Sequence, residues 1–141
     1  MNRMITALVA LPVALLATAA TAQPVKPFSL AALKAAQAAG EPVLVDVFAP
    51  WCPTCRAQAP AINALANNPV TSRLVILRLD YDHQGAEKAF LHVNKQSTLI
   101  AYKGPHEVGR SLGITDPQQI DALASSALRA ALWPPLRWPA G

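Results

Sequence analysis

The chain has 141 residues, 52% of them hydrophobic, a formal net charge of +4 and two cysteines. Its length suits one domain and leaves no room for a second, and its composition excludes a disordered chain. Lys and Arg are scattered, with no basic run and no interleaved aromatics, which excludes a nucleic-acid partner.

Residues 1–22 carry the marks of an export leader. Arg3 gives a basic start, the stretch 5–20 is apolar, and Ala20-Thr21-Ala22 is a small-x-small cleavage site. The apolar stretch is shorter than a comfortable span of roughly 20 residues and Pro12 interrupts it, so removal is expected rather than anchoring. Cleavage would leave 119 of the 141 residues, starting at Gln23, with no later run apolar enough to cross a bilayer.

After a short lead from Pro24 to Phe28, Ser29 is placed to cap a helix over Leu30–Ala39, with Gly40 as its stop. Pro42–Phe48 is apolar almost throughout and predicts a strand buried on both faces. Ala49-Pro50-Trp51 breaks it, and a helical pattern follows from Cys52 to about Ala66. Asn67-Asn68-Pro69 predicts a turn and Leu74–Asp80 a second buried strand, parallel to the first. A short helix is expected from Ala86 to about Val93. Thr98–Tyr102 and Glu107–Leu112 predict a hairpin around Lys103-Gly104-Pro105-His106. Asp116 as cap, Pro117 at the first position and Gln119 in a capping box open a last helix to about Ala131. The domain is thus expected over 23–131. The tail 132–141, with Trp133, Trp138 and three prolines, cannot continue that helix; its tryptophans would suit a groove on their own domain or on a partner.

Cys52 and Cys55 close too small a loop to act as a staple, so their spacing suits reversible pairing or metal ligation. The amino end of a helix favours a thiolate on Cys52, expected to be an exposed nucleophile. Cys55, one turn inward on the same face, is placed to resolve a mixed disulfide.

The run Val43-Leu44-Val45-Asp46-Val47-Phe48-Ala49-Pro50-Trp51-Cys52-Pro53-Thr54-Cys55-Arg56 resembles the active-site segment of the thioredoxin family. Pro60 inside the following helix, Leu74–Asp82, Thr98–Gly104 and Gly113 extend the likeness over roughly residues 30–128. The resemblance implies a three-layer α/β fold with a central mixed sheet of about four strands between helices. It also implies a thiol–disulfide oxidoreductase that needs no organic cofactor and acts on protein disulfides. Asp46 stands where the family has a buried acid serving the inner cysteine; a carboxylate among Val, Leu and Phe would be desolvated, its pKa raised, the alternative being a strand-end Asp that reaches solvent or a nearby N–H. Arg78 stands where the family often has a lysine near that acid, and whether the two pair is open. Trp51 is expected as an apolar wall beside Cys52, or as ordinary core. Pro53 restricts the turn between the cysteines, and the Thr54 hydroxyl can reach toward the sulfurs. Pro53-Thr54 is similar to the dipeptide of periplasmic reductants of cytochrome c maturation, which implies a periplasmic reductant fed by a membrane-embedded thiol donor.

One position departs from the family. Ser97 takes the place of its cis-proline, with Thr98 beside it, both expected at the substrate. A non-proline cis bond costs about 2.5–4 kcal/mol, so the Gln96–Ser97 peptide is expected to be trans. Losing that proline raises an alternative in which the same two thiols hold a soft metal or an iron–sulfur cluster, as in a metallochaperone. His83, His92 and His106 have no metal-site spacing and are expected at the surface, so no residue is assigned to a metal.

Overall fold

A computed structural model describes residues 24–129 of the chain. The leader 1–22, the tail 132–141 and the expected end of the last helix at Ala131 lie outside those residues.

The elements run β1 (Lys26–Pro27), α1 (Leu30–Ala38), β2 (Pro42–Phe48), α2 (Pro53–Asn67), a 3-10 turn (Pro69–Thr71), β3 (Val75–Asp80), α3 (Gly85–Phe90), β4 (Thr98–Lys103), β5 (His106–Leu112) and α4 (Pro117–Arg129). The sheet has five strands in the order β1-β3-β2-β4-β5. The class is the expected α/β arrangement of a mixed sheet between helices, with a correction to the expected four strands. The lead before α1 contributes β1, which pairs Lys26 with Leu77 and Pro27 with Arg78. Two residues carry no periodic signal, and Pro27 is tolerated there because an edge strand can spare an N–H.

β2 and β3 are parallel, with Val45 opposite Leu77 and Asp46 opposite Arg78. β4 runs antiparallel to β2, and β5 returns along β4 with a register shift at Ala101/Tyr102. Because side chains alternate across a strand, β2 divides the core in two. Val43, Val45 and Val47 pack with Leu33 of α1 and with Leu91. Leu44 packs on the other face with Ile62 of α2 and Ile120 of α4. Truncating a fully buried leucine such as Leu33 or Leu44 would cost about 2–5 kcal/mol. Asp46, two residues after Leu44, therefore lies on the α2/α4 side of the sheet.

The helix ends follow from their residues. The Ser29 side chain accepts from the Ala32 amide at 3.0 Å. Gly40 turns the chain out of α1 at φ 68°, with the Glu41 amide reaching back to the Ala36 carbonyl at 2.9 Å. Asp116 Oδ1 accepts from the Gln118 and Gln119 amides at 2.7 and 3.2 Å, which orients α4. Helix α3 stops earlier than expected: His92 takes φ 53° and the Val93 amide bonds the Lys88 carbonyl at 2.8 Å. No helix among the described residues is long and apolar enough to cross a membrane.

Candidate active site

Strand β2 delivers the chain into Ala49-Pro50-Trp51, and α2 begins immediately after it. Arg56 Nη1 donates to the Pro50 carbonyl at 3.0 Å and braces this loop against the helix. Cys52 is the cap of α2. Its extended backbone lets the sulfur turn back over the first helical turn, where it accepts from the Cys55 amide at 3.1 Å. Pro53 occupies the first position of α2, where its missing N–H has no helical partner to lose. Pro60 lies inside α2.

The two thiols are free and both are covered. This corrects the expectation of an exposed outer thiol: Cys52, like Cys55, is 1% exposed. Burial alone would push the Cys52 thiol up. The neighbouring Cys55 thiol, the Ser97 hydroxyl at 3.2 Å and the Cys55 amide at 3.1 Å favour the thiolate, outweigh burial and hold it below the ordinary thiol value. Burial pushes the Cys55 thiol up, and its hydrogen bond to Cys52 adds to that. One sulfur is poised to ionise and its neighbour to keep its proton. The Cys55 sulfur also lies 3.8 Å from the Val47 carbonyl.

Ser97 faces this pair. Its hydroxyl oxygen is 3.2 Å from the Cys52 sulfur and 3.4 Å from the Cys55 sulfur. Its peptide bonds are trans, and its backbone adopts φ 61°, a left-handed conformation uncommon for a side chain other than glycine, Asn or Asp. The Ser97 amide donates to the Val47 carbonyl at 2.9 Å, and its carbonyl accepts from the Gly113 amide at 3.0 Å. Both backbone groups are thus spent inside the protein, and it is the hydroxyl that this residue presents to the cysteines. Thr98 is buried, its hydroxyl donating to the Lys95 carbonyl at 2.8 Å, so its side chain closes a turn. The half-buried Thr54 makes no hydroxyl hydrogen bond to either sulfur.

Trp51 is 54% exposed beside Cys52. Its indole N–H donates to Asp82 Oδ2 at 2.9 Å, and Tyr81 meets its ring edge-on at 6.3 Å between centroids. It is a fixed surface wall rather than core.

Asp46 is fully buried and Arg78 Nε donates to its Oδ2 at 2.8 Å. The pairing left open by the sequence therefore exists. Burial raises the Asp46 pKa, and the charge and hydrogen bond of Arg78 offset only part of that. The other carboxylate oxygen has no hydrogen-bond partner, so Asp46 makes no direct hydrogen bond to Cys55. A groove of about 420 Å³ lined by Phe48, Pro50, Arg78 and Asp80 opens beside the pair. A larger cavity of about 680 Å³, between α1, Gly40–Pro42 and Arg73, is remote from the cysteines and contains none of the site residues.

Sequence reasoning missed Gln58. It is wholly buried one turn after Cys55, and its amide donates to the carbonyls of Ser97 and Ile114 at 3.2 and 2.8 Å. Its position was legible: Cys55, Gln58, Ile62 and Leu65 fall at the helical spacing of a buried stripe. His83 is exposed and pairs with Asp80, while His92 and His106 are exposed. Among the described residues, no group of three or more His, Cys, Asp and Glu side chains could hold a metal ion.

The model of the thioredoxin family matches residues 28–126. The chain belongs to the thioredoxin family. It is 37% identical over 83 residues to a thioredoxin of Chlamydia muridarum, covering 59% of this chain and 79% of that protein. It is 33% identical over 108 residues to the thiol:disulfide interchange protein DsbE of Yersinia pestis, covering 77% of this chain but only 54% of that relative. Among solved structures, Trxlp from Edwardsiella tarda is 42% identical with a TM-score of 0.68, over 71% of this chain and 98% of that one. This family member is a thioredoxin-fold thiol–disulfide oxidoreductase that carries its two cysteines at the start of α2 and a trans Ser97 where the family has a cis-proline.

Proposed function

We propose that the protein is exported and reduces disulfides of other proteins through Cys52 and Cys55. The observation that carries the reading is the Cys52 sulfur at the amino end of α2, held by the Cys55 amide at 3.1 Å and the Ser97 hydroxyl at 3.2 Å. In the reaction, the Cys52 thiolate attacks one sulfur of a partner disulfide, forming a mixed disulfide as the partner S–S bond breaks. The departing partner thiolate takes up a proton. Cys55 then loses its proton, with Asp46 as acceptor through an intervening water, and attacks the Cys52 sulfur. The partner leaves with its second thiol, and two electrons have passed from the dithiol to the substrate.

Trp51 offers the partner a flat apolar surface, while Pro53, Thr54, Ser97 and Thr98 shape the ground around the sulfurs. Residues 1–22 act as a cleaved leader, 23–131 form the domain and 132–141 a tail, which places the protein in the periplasm. Likeness to a thiol:disulfide interchange protein over 108 residues supports disulfide exchange, and the Pro53-Thr54 dipeptide, similar to that of periplasmic reductants of cytochrome c maturation, favours the reducing direction. Electrons then come from a membrane-embedded thiol donor, because cytoplasmic reductases cannot reach that compartment.

The test is reduction of insulin by the purified chain with dithiothreitol as electron source, beside the metal content of the same preparation. Turnover that disappears in Cys52→Ser is expected. Stoichiometric metal with no turnover would replace this reading by a metal carrier. Expression with residues 1–22 intact should release a periplasmic product that begins at Gln23, and retention of the full chain in the cytoplasm would contradict export.

A further inference from the structure

Gln58 is fully buried in the stripe of α2 that otherwise holds Cys55, Ile62, Leu65 and Ala66. Packing gives no reason for an amide there, and its own Oε1 has no partner. What the amide does is join two segments to the helix of the cysteines. Its nitrogen donates to the Ser97 carbonyl ahead of β4 and to the Ile114 carbonyl between β5 and α4. The Gly113 amide meets that same Ser97 carbonyl, and the Ser97 amide is anchored on Val47 of β2. Ser97 is therefore clamped at both backbone ends in a left-handed conformation, which leaves its side chain little choice of direction.

We propose that Gln58 is a positioning residue for thiol–disulfide exchange: by fixing the Ser97 carbonyl to α2, it holds the Ser97 hydroxyl between the two sulfurs. Gln58 touches neither sulfur; it acts through Ser97. The hydroxyl has one proton to give, and a thiolate on Cys52 is the stronger acceptor, so the clamp determines how well that thiolate is stabilised. This inference rests on the oxidoreductase reading, because stabilising the Cys52 thiolate matters only if that thiolate reacts.

The test is a double-substitution cycle read by the pH profile of Cys52 alkylation with iodoacetamide, in the full mature chain. Gln58→Leu should move the profile upward and slow alkylation near pH 6.5 by about threefold to tenfold, one pKa unit being a tenfold change in thiolate population. Ser97→Ala should do at least as much. In the Ser97→Ala background, Gln58→Leu should then change the rate less than about twofold, because the group it positions is gone. Gln58→Met, which keeps the side-chain length without the amide, should repeat the leucine result and covers a leucine variant that fails to fold. An unchanged profile in a folded Gln58 variant overturns the proposal, as does an equal slowing with and without the Ser97 hydroxyl. The readout needs no disulfide substrate. Failure of the clamp would leave insulin reduction by Cys52 standing, and absence of insulin reduction would leave the clamp measurable.

Discussion

Asp46 and Arg78 are register partners on adjacent parallel strands, joined at 2.8 Å, with the carboxylate fully buried and the arginine side chain 30% exposed. Burial raises the acid's pKa above its ordinary value of 3.8 despite that partner. A group raised on folding contributes its stability while protonated, fully below its unfolded pKa, and loses it as pH climbs through its folded pKa. Asp46→Asn keeps the shape without the buried charge, and its amide oxygen can still accept from Arg78 Nε. The variant should therefore be more stable than the wild type at pH 7–8, with the difference vanishing toward pH 4 in urea unfolding. The same substitution should slow release of a mixed disulfide from Cys52, as the proposed role of Asp46 as proton acceptor for Cys55 requires.

Restoring the family's proline should harm this protein. Proline fixes φ near −65°, whereas Ser97 sits at φ 61° and its amide donates to the Val47 carbonyl. Ser97→Pro is expected to cost about 3 kcal/mol or more in chemical denaturation. Ser97→Gly accepts the positive φ and keeps the amide, so it should stay near wild-type stability while losing the hydroxyl at the sulfurs. Equal stability of the proline and glycine variants would mean that the loop readily adopts another conformation.

Gly109 marks a close approach of β5 to α4. A Cβ there would lie 2.7 Å from Leu123 Cδ1, the tip of a side chain. Gly109→Ala should cost about 1–3 kcal/mol by overpacking, and Leu123→Ala in the same chain should remove most of that coupling. Urea midpoints of the four proteins of the cycle test this.

Trp51 should separate recognition from stability. It is half exposed, with Asp82 and Tyr81 as its supports. Trp51→Ala is expected to change unfolding free energy by less than about 1 kcal/mol, in keeping with surface substitutions. Its KM for a protein disulfide should rise several-fold. A large stability loss with unchanged KM would assign the ring to packing instead.

Much of this architecture was legible because its strands announce themselves. Pro42–Phe48 and the stretch before Asp80 are apolar runs interrupted only by Asp46 and Arg78, as a sheet covered on both faces requires, and they lead to β2 and β3. Ser29, Gly40 and Asp116 marked helix ends by their chemistry. β1 was illegible because two residues carry no period and their pairing with Leu77 and Arg78 is purely tertiary. At the site, the cysteines and the departure at Ser97 could be read locally. The left-handed backbone of Ser97 could not, since it is set by Val47, Gly113 and Gln58 from three other segments. Gln58 escaped because a polar residue on a helix reads as solvent-facing unless its register with Cys55 and Ile62 is followed.

The proposed chemistry depends most on Cys52 as the attacking sulfur, and one measurement addresses that directly. Reduced Cys55→Ser is mixed with a peptide disulfide and its intact mass is followed with time. One peptide should become attached per chain, on Cys52, and persist because no second thiol releases it. The same experiment on Cys52→Ser should give little or no adduct near neutral pH, where the raised Cys55 thiol stays protonated. Adduct formed as fast through Cys55 as through Cys52 would contradict the account.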